Sequence, residues 1–173
     1  AGNTSDGSGG GIGFGGNGGT LAVNQSTIFG NSASISFGGL YRGASSFTVF
    51  NSIIAGNTQP SGSEISTTGG TFSGVNLTNG TPLLAPLGNY GGLTPTMPPL
   101  PSSPALNGAT GGTSFTTDQR GLPRIVGAFA DLGAAEGVFN PNYPLVNVTK
   151  LGSGNVQFAF TNLSGPSYRV LAS

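Results

Sequence analysis

The sequence predicts an all-β chain in three parts: a stub of parallel β-solenoid over residues 1–80, an irregular Pro-rich capping segment over 81–140, and a truncated β-sandwich over 141–173. Three observations carry this prediction. A short phrase occurs at Gly2-Asn3-Thr4, Gly30-Asn31-Ser32 and Gly56-Asn57-Thr58, so that Asn returns after 28 and then 26 positions. A period in the twenties with β-rich content is that of a solenoid, in which each coil covers the open face of the next. Helix is disfavoured, because Gly, Pro, Asn, Ser and Thr interrupt every window and no 3.6-residue period is sustained. The 33 glycines would suggest disorder, but they separate β-branched and aromatic clusters such as Leu21-Ala22-Val23, Thr27-Ile28-Phe29 and Phe47-Thr48-Val49.

Within the solenoid, a shift of 26 brings Leu21 onto Phe47, Val23 onto Val49, Ser26 onto Ser52, Thr27 onto Ile53, Ile28 onto Ile54 and Asn31 onto Asn57. Apolar character is kept where a core needs it. Upstream, Gly10-Gly11-Ile12 and Gly38-Gly39-Leu40 correspond at a shift of 28, so strands are fixed while corners vary in length. Asn3, Asn31 and Asn57 are expected to form an asparagine ladder, their amides stacked one strand spacing of about 4.8 Å apart. Three such coils make a stub of only about 15 Å, which predicts a piece of a longer protein with further coils ahead of Ala1.

After Gly80 the texture changes. Residues 81–87 and 94–101 hold six of the twelve prolines, and proline cannot donate to a ladder, so these segments wrap around the coils or leave them. The interval 118–136 then gathers Asp118, Arg120, Arg124, Asp131 and Glu136, five of the ten charged residues. From Asn142 onward, Leu145–Val148, Val156–Phe160 and Tyr168–Leu171 read as three sandwich strands, with a turn at Gly152–Asn155. A complete sandwich wants about seven, so Ser173 is expected to be a cut.

Composition excludes several functions. Five Lys plus Arg against five Asp plus Glu give zero net charge with no basic stripe, which leaves nothing to grip a nucleic-acid backbone. No apolar run approaches a transmembrane length. With no Cys and no His, thiolate zinc sites and Ser-His or Cys-His nucleophiles are absent, leaving only a formal Ser-Lys pair through Lys150. Sequons at Asn3, Asn24, Asn76, Asn79, Asn147 and Asn162 are the number that Asn, Ser and Thr abundance produces by chance.

Three stretches together resemble a known pattern: Gly88-Asn89-Tyr90-Gly91-Gly92-Leu93-Thr94-Pro95-Thr96, Pro101-Ser102-Ser103-Pro104-Ala105-Leu106-Asn107-Gly108, and Thr117-Asp118-Gln119-Arg120-Gly121-Leu122-Pro123-Arg124 with Asp131-Leu132-Gly133-Ala134-Ala135-Glu136. They are similar to the carboxy-terminal region of bacterial choice-of-anchor Q proteins. There, a right-handed parallel β-helix of the polymorphic outer-membrane or pectate-lyase-like type precedes a sorting or anchoring module. This chain has Asn107 and Met97 where members often carry Asp and His. The resemblance implies a right-handed parallel β-helix, export and display at a bacterial cell surface, and no particular catalysis.

Candidate sites follow from the few reactive groups. Asp118, Arg120, Arg124, Asp131 and Glu136 are expected to form a structural polar clasp closing the solenoid's end, since an Arg fork matches a carboxylate bidentately. The functional alternative is that Arg120 and Arg124 receive an acidic sugar. Asp131 and Glu136 also resemble a glycosidase pair in residue type, but lie within the clasp. Gly11–Gly16 satisfies Gly-x-Gly-x-x-Gly with no helix to follow, and its register leaves Gly15 where a calcium repeat needs a carboxylate. Asp6, Arg42 and Glu64 are the only charges before residue 118, too few for a polysaccharide lyase. Tyr41, Phe47, Phe50 and Tyr90 could stack sugars, or fill the core and corners.

These observations predict a non-catalytic, structural or adhesive extracellular protein without metal or cofactor, whose partners are polysaccharide or copies of itself. The alternatives are the remnant of a carbohydrate-active β-helix enzyme, with its catalytic coils upstream, and a self-associating fibre subunit.

Overall fold

The computed structural model describes residues 1–16, 18–43 and 46–137, together with the backbone of three strands at 147–150, 156–160 and 168–172. All regular structure in the described residues is β. The strands are β1 (Thr4–Ser5), β2 (Ile12–Phe14), β3 (Thr20–Asn24), β4 (Thr27–Phe29), β5 (Ser32–Ala33), β6 (Leu40–Arg42), β7 (Ser46–Phe50), β8 (Ile53–Ala55), β9 (Gly70–Ser73), β10 (Asn147–Lys150), β11 (Val156–Phe160) and β12 (Tyr168–Ala172). Contacts divide the chain into Ala1–Val138 and Phe139–Ser173.

In the first unit the strands pair as short parallel sheets. β1 pairs β5 with Thr4 opposite Ser32, and β2 pairs β6 with Ile12 opposite Leu40. β3 pairs β7 with Leu21 opposite Phe47, and β4 pairs β8 with Ile28 opposite Ile54. These registers coincide with the shifts of 28 and 26 that align the sequence with itself. The two extra residues fall at one corner: β3 starts six positions after Phe14, whereas β7 starts four after Arg42. A third level follows, as β9 pairs β7 with Gly70 opposite Phe47 and single parallel bridges join Ser32 to Thr58, Leu40 to Ile65 and Ile53 to Leu77.

Strand alternation then sorts the side chains. Phe47 and Val49 of β7 point inward and are fully buried, while Ser46, Thr48 and Phe50 point outward. Val23, Ile28, Leu40, Phe47, Val49, Ile54 and Ile65 make one core, with Ile12 and Leu21 at its margin.

β8 breaks the alternation, because Ile53, Ile54 and Ala55 are all fully buried. Ile54 belongs to the inner core. Ile53 and Ala55 face the other way and form a second core with Ala105, Ala109, Ala130 and Leu132. The chain from 105 to 137 therefore returns to lie against the outer face of β8. Small side chains make that close approach feasible: a Cβ on Gly133, whose φ is +89°, would sit 2.5 Å from Thr27 Oγ1 and 2.9 Å from Ile53 Cδ1. Between the two, residues 83–100 fold back on themselves, with Ala85 N–H donating to Pro98 O and Leu100 N–H to Leu83 O, both at 2.9 Å.

This corrects the expectation of a segment closing the solenoid's end. Among the described residues, 105–137 binds sideways across two levels. Its anchors are Gln25 and Thr27 on the first level and Asn51 and Ile53 on the second.

In the second unit β10, β11 and β12 form an antiparallel sheet in that order, with Val148 opposite Phe158 and Phe158 opposite Val170. Three antiparallel strands are the part of the expected sandwich that the described residues contain. The side chains of Lys150 and Arg169 and the sequon at Asn162 lie outside the described residues.

Candidate functional site

Three groups of polar residues are organised by the paired strands and their turns. At the first corner, Gly2, Gly30 and Gly56 have φ of +70°, +66° and +67°, which turns the chain immediately before each ladder asparagine. Asn3 donates its backbone N–H and its Nδ2–H to Asn31 Oδ1, both at 3.0 Å. Asn31 donates the same pair to Asn57 Oδ1 at 3.0 and 2.8 Å. The third step changes acceptor: Asn57 gives both donors to Glu64 Oε2 at 2.9 Å. The ladder thus has a direction, and a carboxylate stands where the next amide oxygen would be. Sequence reasoning saw Glu64 only as a stray charge, although it is the sole acid between Asp6 and Asp118 and follows Asn57 by seven positions.

At a second corner, the backbone is left-handed without glycine, with φ +43° at Gln25 and +47° at Asn51. Both side chains are buried and both hold the returning segment. Asn51 Nδ2 donates to Thr110 O at 2.8 Å, and its Oδ1 accepts from the N–H of Thr110 and of Val75. Gln25 Oε1 accepts from Arg124 Nε at 2.7 Å and from Thr113 Oγ1 at 3.0 Å. Neither residue was singled out from sequence; the shared offset of 26 from Gln25 to Asn51 was the only signal.

The third group is the charge cluster, which the structure brings together and buries. Asp118 Oδ2 accepts from Arg120 Nε and Nη2 at 2.9 and 2.6 Å and from the Glu136 N–H at 3.0 Å. Arg124 spends its remaining donors on Glu136 Oε1 at 3.0 Å and on the carbonyls of Asp131 and Gly133 at 2.8 Å. Asp131 accepts the N–H of Asn107 at 2.6 Å and of Gly137 at 2.5 Å. Desolvation dominates the electrostatics. Burial pushes Glu136 up to about 7, aided by the negative charge of Asp131 and opposed by the Asp131 N–H and Arg124. Burial likewise raises Asp131, outweighing the N–H groups of Asn107 and Gly137 and the charges of Arg124 and Arg120. It lowers Arg124 against the attraction of Glu136, Asp118 and Asp131.

Family models, curated proteins and solved structures offer no match to this chain.

The geometry of the cluster removes two of the candidate chemistries. Arg120 and Arg124 are 8% and 2% exposed and already bonded to Asp118 and Glu136, which leaves an acidic sugar little access to either guanidinium. Asp131 and Glu136 are equally sealed, at 4% and 3%, whereas a glycosidase pair must flank a substrate. The aromatic platform also dissolves. Phe47 lies inside the core, edge-on to Phe72, while Tyr41 stacks on Phe37 and Phe50 faces outward. Residues 11–13 of the glycine motif lead into and form strand rather than helix. Among the described residues, no helix is long and apolar enough to cross a membrane.

Proposed function

We propose that this chain is a non-catalytic structural and adhesive segment of a right-handed parallel β-helix, exported by a bacterium and displayed outside the cell, where it contacts uncharged polysaccharide. Parallel pairing at offsets of 23 to 28 residues on several strand pairs supports successive coils, and parallel crossovers in one sheet are right-handed in nearly all cases.

One observation carries the functional part. The outward rows of β3, β7 and β9 are Thr20 and Ser46, then Ala22, Thr48 and Thr71, then Asn24, Phe50 and Ser73, with no charge among them. Thr20 and Ser46 share a hydrogen bond of 3.1 Å across the strands. Such a face repeats hydroxyls about 4.8 Å apart between strands and about 7 Å apart along them, spacings that suit a repetitive neutral polymer. The acids that could have performed hydrolysis are meanwhile committed to holding residues 105–137.

The test is retention on insoluble cellulose and β-1,3-glucan with analysis of the supernatant. Retention without released sugar supports the proposal, and release of reducing ends overturns it in favour of the enzyme alternative. The fibre alternative rests on its own observation: the outer edges of β3 and β9 meet no further strand among the described residues. Concentration-dependent filaments in sedimentation would favour it.

A further inference from the structure

The geometry points to a binding groove for a neutral hexose oligosaccharide at the end of the outward face of β3 and β7, centred on Phe115. This assignment rests on the polysaccharide-binding proposal above and locates it. The outward row Asn24–Phe50 is where the returning segment rises beside the coils: a Cβ on Gly111 would lie 3.5 Å from the Phe50 ring. Two adjoining cavities of about 390 and 280 Å³ open there, and they share Asn24, Gln25 and Phe115 as walls. The larger falls within the size range of small-molecule pockets.

Phe115 is half exposed, so the face of its ring is open to a ligand at the shared wall of the two cavities. Its backbone is nonetheless fixed. Phe115 N–H donates to Thr113 Oγ1 at 3.0 Å, Thr113 Oγ1 donates to Gln25 Oε1 at 3.0 Å, and Gln25 Oε1 is held by Arg124 Nε at 2.7 Å. A solvent-facing aromatic is thus presented by a relay that ends on a buried guanidinium. Holding this backbone in place beforehand lowers the ordering cost of binding.

The polar groups around the ring set the ligand class. Asn24 and Ser114 are exposed, and the glycine pair 111–112 leaves backbone open to an approaching hydroxyl. Asp118 and Arg124 line the smaller cavity, but both are buried and paired, Asp118 with Arg120 and Arg124 with Glu136. An aromatic face with amide and hydroxyl groups and no accessible charge matches a pyranose ring, apolar on its flat side and hydroxylated at its edge. It does not match a uronate or a phosphate. The two adjoining cavities that share Phe115 would take consecutive sugar units.

Titration calorimetry with cellohexaose, mannohexaose and oligogalacturonate tests the groove on the full chain. At least one neutral hexaose should bind, Phe115→Ala should weaken it about tenfold or more, and Phe115→Tyr and the distant surface variant Ile35→Ser should leave it within about twofold. Melting curves of each variant confirm that the fold is kept. Unchanged binding in Phe115→Ala, or tighter binding of oligogalacturonate than of either neutral hexaose, overturns the groove. If Phe115→Ala is still retained on insoluble glucan, the groove falls and the polysaccharide-binding proposal stands. If the unaltered chain neither binds a hexaose nor is retained, both fall.

Discussion

The parallel strand pairs and the segment that lies against them bury polar groups by opposite means. Among the paired strands, buried asparagines and serines are neutral, and several are answered by the equivalent position on the neighbouring strand pair, as Asn31 answers Asn3 and Ser52 answers Ser26. In residues 105–137, the buried groups include ionisable side chains answered by partners at irregular separations. Arg124 reaches Glu136 across 12 residues and Gln25 across 99. A neutral ladder costs little to desolvate, so it can be repeated at every level. An ion network costs several kcal/mol per ion and holds only when its donors and acceptors are filled, and among the described residues it is confined to this segment.

The comparison predicts that the returning segment is the brittle part. Arg124→Ala should cost about 3–5 kcal/mol, because it leaves Glu136 buried without its cation and releases the carbonyls of Asp131 and Gly133 together with Gln25. Denaturant unfolding followed by far-UV circular dichroism measures the loss. Limited proteolysis should cut first within 105–137 while the coils resist. Cleavage distributed evenly along the chain would show that the two regions fail as one.

Proton uptake separates them further. The folded protein holds Glu136 up at about 7 and raises Asp131, so between the ordinary carboxylate range and neutrality the folded state binds more protons than the unfolded state. The sign follows: stability is greatest below the unfolded value near 4.5 and falls as pH rises through about 7. The groups that face Glu136 are Arg124, Asp131, Asp118 and Arg120, and none belongs to the ladder. On the order of 3 kcal/mol is the upper bound for this one group. Melting temperature should therefore drop between pH 5 and pH 8, and Glu136→Gln, which keeps an acceptor for Arg124, should flatten the profile. A melting temperature that rises over that interval contradicts the sign.

The same contrast explains what could be seen in the sequence. Asn3, Asn31 and Asn57 were legible because a coil repeats its corner, and the registers of β3 with β7 and β4 with β8 follow from the same shift. The members of the ion network were legible as a cluster, since five of ten charges stand within nineteen residues. Its location was not. The unbroken apolar run Ile53-Ile54-Ala55 was the one trace of a strand covered on both faces, and no local pattern joins it to Ala105 or Leu132. Gln25 escaped for the same reason, because its partner Arg124 is tied to it by tertiary packing alone.

The ladder gives the smallest and most discriminating effect. Asn31 both donates to Asn57 and accepts from Asn3, so Asn31→Ala removes its Nδ2 bond to Asn57, keeps the backbone one, and withdraws the acceptor of two Asn3 donors, at about 1–3 kcal/mol. Glu64 only accepts, and it is half-buried at the end of the row. Glu64→Ala should cost about 1 kcal/mol, because water can reach the two donors of Asn57 that it abandons. Glu64→Gln should recover most of that loss, since an amide oxygen is what every earlier level supplies. If Glu64→Gln is instead as damaging as Glu64→Ala, the negative charge at the end of the ladder is what matters. The coils would then depend on one ionic group just as the returning segment does, and the distinction between neutral and ionic burial would fail.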